Sequence, residues 1–464
     1  DIAFDYDLTE ALKNLIVESV NTDAGAVTIE SANNLTINAA GLTAKGAIVI
    51  EAGNDITLGA GDGIAINTNT STALVKLQAD NDGAGDGAIV DGGSLIAMTG
   101  GDLVLRAKTG IGTNGAKIET TGLVDFAAIS TTGGIFLDNG TSGAINITTL
   151  DGVTGISTAT SGNIGIINSA AANIKVSSAI DANRVGGTVT LNAGAALDID
   201  AAITAAGAID LDAATNFDID ATITGGGNVE LDTTGGTVDV AAASRVIGGG
   251  DGTTLAINAS GAITFNAGGD ATETVTNTGS GAITVISSGA GITLKNDAVS
   301  IADGVLTLTA DGAIAVDSNA TQQIDSDGNV IISANGITGT GGLDINSDAP
   351  GADRALTITS TGSTDMAVNV VADLYSSITI VQQDASTSIN VELVGDDTID
   401  IDGTADTVTL KSVVTSAADI AFDYDLTEAL KNLIVESVNT DAGAVTIESA
   451  NNLTINAAGL TAKG

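Results

Sequence analysis

Apolar and polar residues alternate in short runs along this chain, and the runs return at a regular interval. Across residues 187–226 two words of twenty, "GTVTLNAGAALDIDAAITAA" and "GAIDLDAATNFDIDATITGG", place Val189 over Ile209, Leu191 over Leu211, Leu197 over Phe217, Ile199 over Ile219 and Ile203 over Ile223. A third word, "GNVELDTTGGTVDVAAA", carries the register through Val229 and Leu231 and slips by one at Val238. Alternation of period two is the mark of a strand with one buried face. The Gly, Asn, Asp and Ala-Gly pairs between the runs are turn chemistry. The same cassette recurs as "GAIVIEAGNDITLGAGDGIAINT", "GAINITT", "GAITFNA", "GAITVIS", "VLTLTADGAIAVDS", "GNVIIS" and "DTIDIDGTADTVTLKS". Strands therefore begin roughly every eight to twelve residues, a spacing shared by antiparallel sandwiches or barrels and by solenoids.

The twenty-residue register separates the two. Like positions that recur once per turn make equivalent strands stack in parallel, with Val189, Ile209 and Val229 in one inward row; a hairpin array does not need that equivalence. The six-residue apolar period of left-handed solenoids is absent. The pattern predicts an all-β fold, a right-handed parallel β-helix with coils of about 20 residues.

One segment departs from the cassette, near 8–19 and again near 426–437. "DLTEALKNLIVES" sets Leu8, Ala11, Leu12, Leu15 and Ile16 at helical spacing, with Asp7 and Glu10 at capping-box positions. It reads as a short helix or irregular insertion that covers an open side of the core or docks laterally. Read as strand, Leu15, Val17 and Ser19 alternate equally well.

Composition narrows the chemistry. The 464 residues are 43% hydrophobic but only 2% aromatic, with 60 Gly, one Pro and no His, Cys or Trp. A core of Val, Ile, Leu and Ala with no disulfide must draw its stability from repeated packing or from bound ions. The formal charge of −43 opposes nucleic acid and anionic lipid as partners. Positive mean hydropathy excludes a disordered acidic tail. No basic-then-apolar leader opens the sequence, and no apolar run reaches the ~18 residues of a membrane span. We therefore expect no membrane insertion in this segment, and export signals outside it.

Runs such as "AGNDITLGAGDGIAI", "SANNLTINAAGLTAKGAIVIEA" and "SANGITGTGGLDINSD" resemble the large secreted β-helical exoproteins and adhesins of the filamentous-haemagglutinin type. The resemblance covers most of the chain and implies an extracellular or cell-surface location, a long rod and adhesive or structural work. The amino-terminal secretion domain of that family has no counterpart here.

Catalysis by a His-activated nucleophile and zinc, haem or iron–sulfur ligation lack their residues. "GGGDG" at 248–252 has no following Lys-Ser/Thr pair to make a phosphate loop. A lyase or two-carboxylate hydrolase needs acids gathered in one groove, whereas the acids here are spread along the chain and the 14 bases scattered from Lys13 to Lys463. The reading is that the chain is not an enzyme. Its aligned coils instead stack Asp210 on Glu230, Asp212 on Asp232, Asp198 on Asp218 and Asp200 on Asp220, all between inward apolar positions. Coils ~4.8 Å apart bring like charges close enough to repel by about 1 kcal/mol even at the dielectric of water. Two outcomes stay open: Ca²⁺ or Mg²⁺ held by the ladders, or a diffusely screened acidic surface. "GDDTIDIDG", with Asp396, Asp397, Asp400 and Asp402, is the better local candidate for an ion. "DSDGNVIISANG" at Asp325 lacks the Gly and Glu of a calcium loop. No cofactor is required by any of this. Glycosylation sequons stand at Asn34, Asn69, Asn139, Asn146, Asn258 and Asn319.

Finally, residues 419–464 repeat residues 1–46 letter for letter. The offset of 418 residues (419 − 1) corresponds to about 21 coils and ~100 Å of rod. Residues 1–418 read as one unit and 419–464 as the start of the next. The expected function is a structural segment of a long extracellular filament, its partner itself, end to end and in lateral bundles. The alternative is the spacer of an adhesin whose binding tip lies elsewhere.

Overall fold

The computed structural model describes all of the strands and most of the connections before residue 361; the longest runs outside the described residues there are 7–13, 266–273, 317–322 and 347–354. From 362 to 464 it describes the strands and a few flanking residues, chiefly as backbone. The described residues are all β, without a helix, and the strands stack in parallel as a β-solenoid. Contacts divide the chain into two units, Asp1–Thr234 and Gly235–Gly464, and each is taken by itself.

In the first unit the predicted coil is seen whole. A coil consists of one five-residue strand and two of three residues: Val189–Ala193, Leu197–Ile199 and Ile203–Ala205, then Ile209–Ala213, Phe217–Ile219 and Ile223–Gly225. Their parallel register joins Val189 to Ile209 to Val229, Leu197 to Phe217 and Ile203 to Ile223. Each of these side chains is at most 1% exposed. The period-two runs thus become inward rows because only alternate side chains can face the interior. The twenty-residue step holds for these coils. Insertions in the turns lengthen others, to 25 residues between Ile164 and Val189 and 29 between Ile135 and Ile164.

Between residues 95 and 158 the coil reorganises, a feature the cassette does not announce. Two thirteen-residue strands, Leu95–Ala107 and Ile118–Ser130, lie side by side. Ile135–Asn139 then receives both Gly110–Ile111 and the first half of Ile118–Ser130, merging two rows into one. The second half of Ile118–Ser130 feeds Ile145–Ile147 and Ile156–Thr158, splitting one row into two. At the split an antiparallel hairpin emerges, Thr149–Leu150 with Val153–Thr154. Its turn residues Asp151 and Gly152 both have positive φ, 44° and 74°, the geometry that suits a tight two-residue hairpin. Leu150 and Val153 fold over Val104 and Ala127 with Leu74 and Ile129, forming an apolar cluster of their own.

In the second unit three-strand coils continue, with steps of 28, 23 and 24 residues from Leu255 to Ile283, Leu306 and Val330. Then Ile337–Thr338 and Leu343–Asn346 converge on one longer strand, Met366–Ala372. Two long strands per coil follow: Met366–Ala372 pairs with Ser388–Gly395, Ser377–Gln382 with Thr398–Gly403, and Ser388–Gly395 with Thr407–Thr415. Thr407–Thr415 finally passes to two short strands, Asn432–Val435 and Val438–Thr440, which restores three per coil at the repeated segment.

The helical reading near 8–19 and 426–437 is corrected where the structure describes it. Leu15–Val17 and Asn432–Val435 are strands; residues 7–13 and 425–431 lie outside the described residues. Pairing decides the outcome: Leu15 and Val17 join the rows of Leu35 and Ile37, a gain in ladder and burial that weak helical propensity does not match.

Candidate functional site

The carboxylate stacks predicted on the outer face of the first unit are in register. Asp210 pairs with Glu230 and Asp212 with Asp232, above Thr190 and Asn192 in the preceding coil. Partial burial raises the pKa of Asp210, Asp212 and Glu230 above the usual carboxylate range, and neighbouring charges, Asp232 among them in each case, add to the rise. The Asn192 amide donates to Asp212 Oδ2 at 3.2 Å and partly offsets the effect there.

A few residues away the arrangement is different. Asp198 pairs with Asp218, and its register partner on the other side is Lys175. The Lys175 ammonium lies 2.6 Å from Asp198 Oδ2 and 2.5 Å from Asp200 Oδ2. Hydrogen bonds to both carboxylates raise the lysine's pKa, and the bond from Lys175 lowers that of Asp200. Asp200 and Asp220 occupy stacked turn positions, their N–H groups bonded to Val176 O and Ile199 O. A lysine therefore sits between the carboxylates that the sequence pairs as a divalent-ion ladder. Sequence alignment missed it because the step from Ile174 to Leu197 is 23 residues, outside the twenty-residue frame.

Among the described residues no three acidic side chains gather closely enough to hold a metal ion. Asp396 and Asp397 lie outside the described residues. Asp400 and Asp402 are in the Thr398–Gly403 strand, in register with Thr379 and Val381, and Asp400 also with Asp423. Asp325 belongs to a ladder strand between Ser300 and Asn346.

The hairpin of the first unit is tied down by charge as well as by its apolar cluster. Lys76 reaches Glu51 at 3.1 Å and Asp151 at 3.6 Å, and Arg106 Nη2 donates to Asp151 O at 2.5 Å. Nearby, burial and the charge of its register partner Asp125 raise the pKa of Asp102. Asp125 in turn accepts from Asn146 at 2.7 Å.

Inside the same unit a polar row replaces apolar side chains. Thr120 donates to Asn139, Asn139 to Asn168, and Asn168 to the carbonyls of Gly143 and Asn173, at 3.2, 3.0, 3.0 and 2.9 Å. Asn139 is fully buried, which closes that sequon to a glycan.

The repeated segment supplies the last surface. Its two copies have one internal register: Ile2 with Val27 as Ile420 with Val445, Leu15 with Leu35 as Leu433 with Leu453, and Val20 with Leu42 as Val438 with Leu460. In the second copy the other edge is also paired. Ile399 meets Phe422, Val408 meets Leu433, Leu410 meets Val435 and Val413 meets Val438. In the first copy the corresponding Phe4, Leu15, Val17 and Val20 line an apolar hollow of about 210 Å³ with Ile16 and Ile29. Phe4 is 50% exposed.

Comparison with protein families, curated proteins and solved structures returns no match for this chain. No helix among the described residues is long and apolar enough to cross a membrane.

Proposed function

We propose that this chain is a structural segment of a long extracellular β-solenoid fibre built from tandem 418-residue units. The observation that carries this reading is the pairing of the second copy: the strands Ile420–Tyr424, Asn432–Val435 and Val438–Thr440 pair in parallel with Thr398–Gly403 and Thr407–Thr415. Since the first copy has the same 46 residues, it has the same edge to offer to the same strands of a preceding unit. Parallel ladders and stacked Val, Ile and Leu rows supply stiffness, because every coil is bonded to both neighbours. The acidic exterior, with a formal charge of −43, keeps such rods soluble and sets their response to salt. In this reading the carboxylate rows are screened by a diffuse cloud of counter-ions.

Cryo-electron microscopy of the native material tests it. A ~4.8 Å layer line is expected, with a longer axial period. Coil steps between 20 and 29 residues make that period roughly 70–100 Å at this rise. Discrete globular particles with no axial layer line would refute the fibre.

A further inference from the structure

We propose that the peptide bond between Arg184 and Val185 is a processing site for an endopeptidase that cleaves after basic residues, and that the solenoid stays whole once this bond is cut. This goes beyond the fibre reading and does not rest on it. The strand Ile180–Ala182 ends at a buried alanine, and the next strand opens at Val189. Between them residues 183–186 are all exposed, Val185 to 89%. Exposed loop tips are where folded chains are nicked. Among the described residues no other Lys or Arg lies in a run of four exposed positions. The loop is held by short local bonds. Arg184 N donates to Ala182 O at 2.8 Å and Gly187 N to Arg184 O at 2.9 Å. Asn183 N donates to Asp181 Oδ1 at 2.9 Å, and Arg184 Nε to Ala159 O at 3.0 Å. Releasing them frees residues 183–188 to extend into a protease cleft, with the flanking strands still paired. Cleavage follows the population of that open form.

Hydrolysis breaks the bond from the Arg184 carbonyl carbon to the Val185 nitrogen; water gives its hydroxyl to the carbon and a proton to the nitrogen. The cut falls between two complete coils. Ile164–Asn168, Ile174–Val176 and Ile180–Ala182 stay on one fragment, and their parallel partners Val189–Ala193, Leu197–Ile199 and Ile203–Ala205 on the other. The inward pairs Ile164–Val189, Ile174–Leu197 and Ile180–Ile203 are at most 1% exposed. Lys175 and its partners Asp198 and Asp200 also lie on opposite sides of the cut. Every contact between the two coils therefore survives in the folded state. Once unfolded, the fragments part, because their reassociation has become a bimolecular step. Processing here removes covalent continuity and keeps the ladder.

The test is brief exposure of the folded full chain to trypsin, read by mass spectrometry in denaturant and by sedimentation velocity in buffer. Fragments 1–184 and 185–464 are expected first in denaturant. In buffer the nicked material is expected to sediment with the uncut chain of 45.1 kDa, and its melting temperature to rise with protein concentration. Arg184→Gln should remove this first cut. Val185→Pro should remove it as well while keeping the loop, since the bond from Gly187 N to Arg184 O and the φ of 68° at Gly186 are those of a type II turn, which takes Pro at its second position. The proposal is overturned if the first cut falls at another base, or if either variant is nicked as fast as the unaltered chain. It is also overturned if the two fragments separate in buffer.

Discussion

Leu35 and Leu453 are the same residue of the repeated segment, yet Leu35 is fully buried and Leu453 is 43% exposed. Leu35 is held between Leu15 and Ile56, whereas Leu453 pairs with Leu433 on one side. Ile37 and Ile455 differ in the same way, 0% against 47%. Identical local sequence thus carries different burial, and the coil stacked above makes the difference. Leu35→Ala is expected to destabilise the fold by about 2–5 kcal/mol through lost transfer energy and a cavity. On the 464-residue chain Leu453→Ala should cost less than about 1 kcal/mol, since at 43% exposure little apolar area is removed from the interior. Denaturant titration of the two variants checks this; equal losses would show that the second copy is packed like the first.

Lys175 stands between Asp198 and Asp200, and its removal leaves those carboxylates facing one another without a cation. Lys175→Met is expected to lower stability by about 1 kcal/mol at neutral pH, the upper end for partly exposed pairs. The double variant with Asp198→Asn should recover part of the loss. A Lys175→Met melt identical to that of the unaltered chain would mean that solvent already screens the pair.

The pH profile follows from two opposed sets. Asp210, Asp212 and Glu230 have raised pKa values, so the folded chain keeps protons that the unfolded chain has released. Their contribution to stability is complete below the ordinary carboxylate pKa, about 4, and is lost as pH rises through the raised values. Asp200 is lowered by Lys175; its contribution is present above the ordinary pKa and is lost as pH falls through the lowered one. The melting temperature should therefore rise on mild acidification from neutrality and fall again in stronger acid. Asp210→Asn should stabilise at neutral pH by roughly 0.2–1 kcal/mol, the scale of a cross-strand pair, and much less in mild acid. A melting temperature that declines steadily from neutral pH downward would contradict this assignment.

Diffuse screening of the same rows has its own signature. Sodium and magnesium chloride at matched ionic strength should raise the melting temperature alike, and a chelator should leave it unchanged. Selective stabilisation by Ca²⁺ at ion concentrations far below the screening range would replace that picture with a specific site.

The buried Asn139–Asn168 row should resist apolar substitution. Asn168→Leu removes one acceptor of the Asn139 amide and one donor to the carbonyls of Gly143 and Asn173, while Asn173 O keeps the Ile145 N–H; the loss is expected to be about 1–3 kcal/mol for weakened buried polar groups. Ala193, the register partner of Asn168 in the next coil, shows that the row accepts a small residue where no partner depends on it. Thermal melts of Asn168→Leu decide; a neutral result would mean that water can replace the amide.

Alternation and the twenty-residue step between Val189 and Ile209 determined the parallel solenoid, its inward rows and the acidic pairs Asp210–Glu230 and Asp212–Asp232. These features depend on which way a side chain faces, which is fixed by parity along a strand. Identity over 46 residues determined that two parts of the chain share one fold. The position of Lys175 against Asp198 and Asp200, the hairpin at Asp151 and the merging of rows at Ile135–Asn139 were decided only by tertiary structure. Each depends on how many residues a turn inserts between strands, and turn length changes neither the alternation nor the composition that a sequence displays. The segment around Leu15 was decided in the same way: its helical and strand periodicities are comparable, and the open ladder beside Leu35 selected the strand. Residues of one strand are related by a fixed period, whereas residues of neighbouring coils meet through pairings that close only when the chain has wound once around.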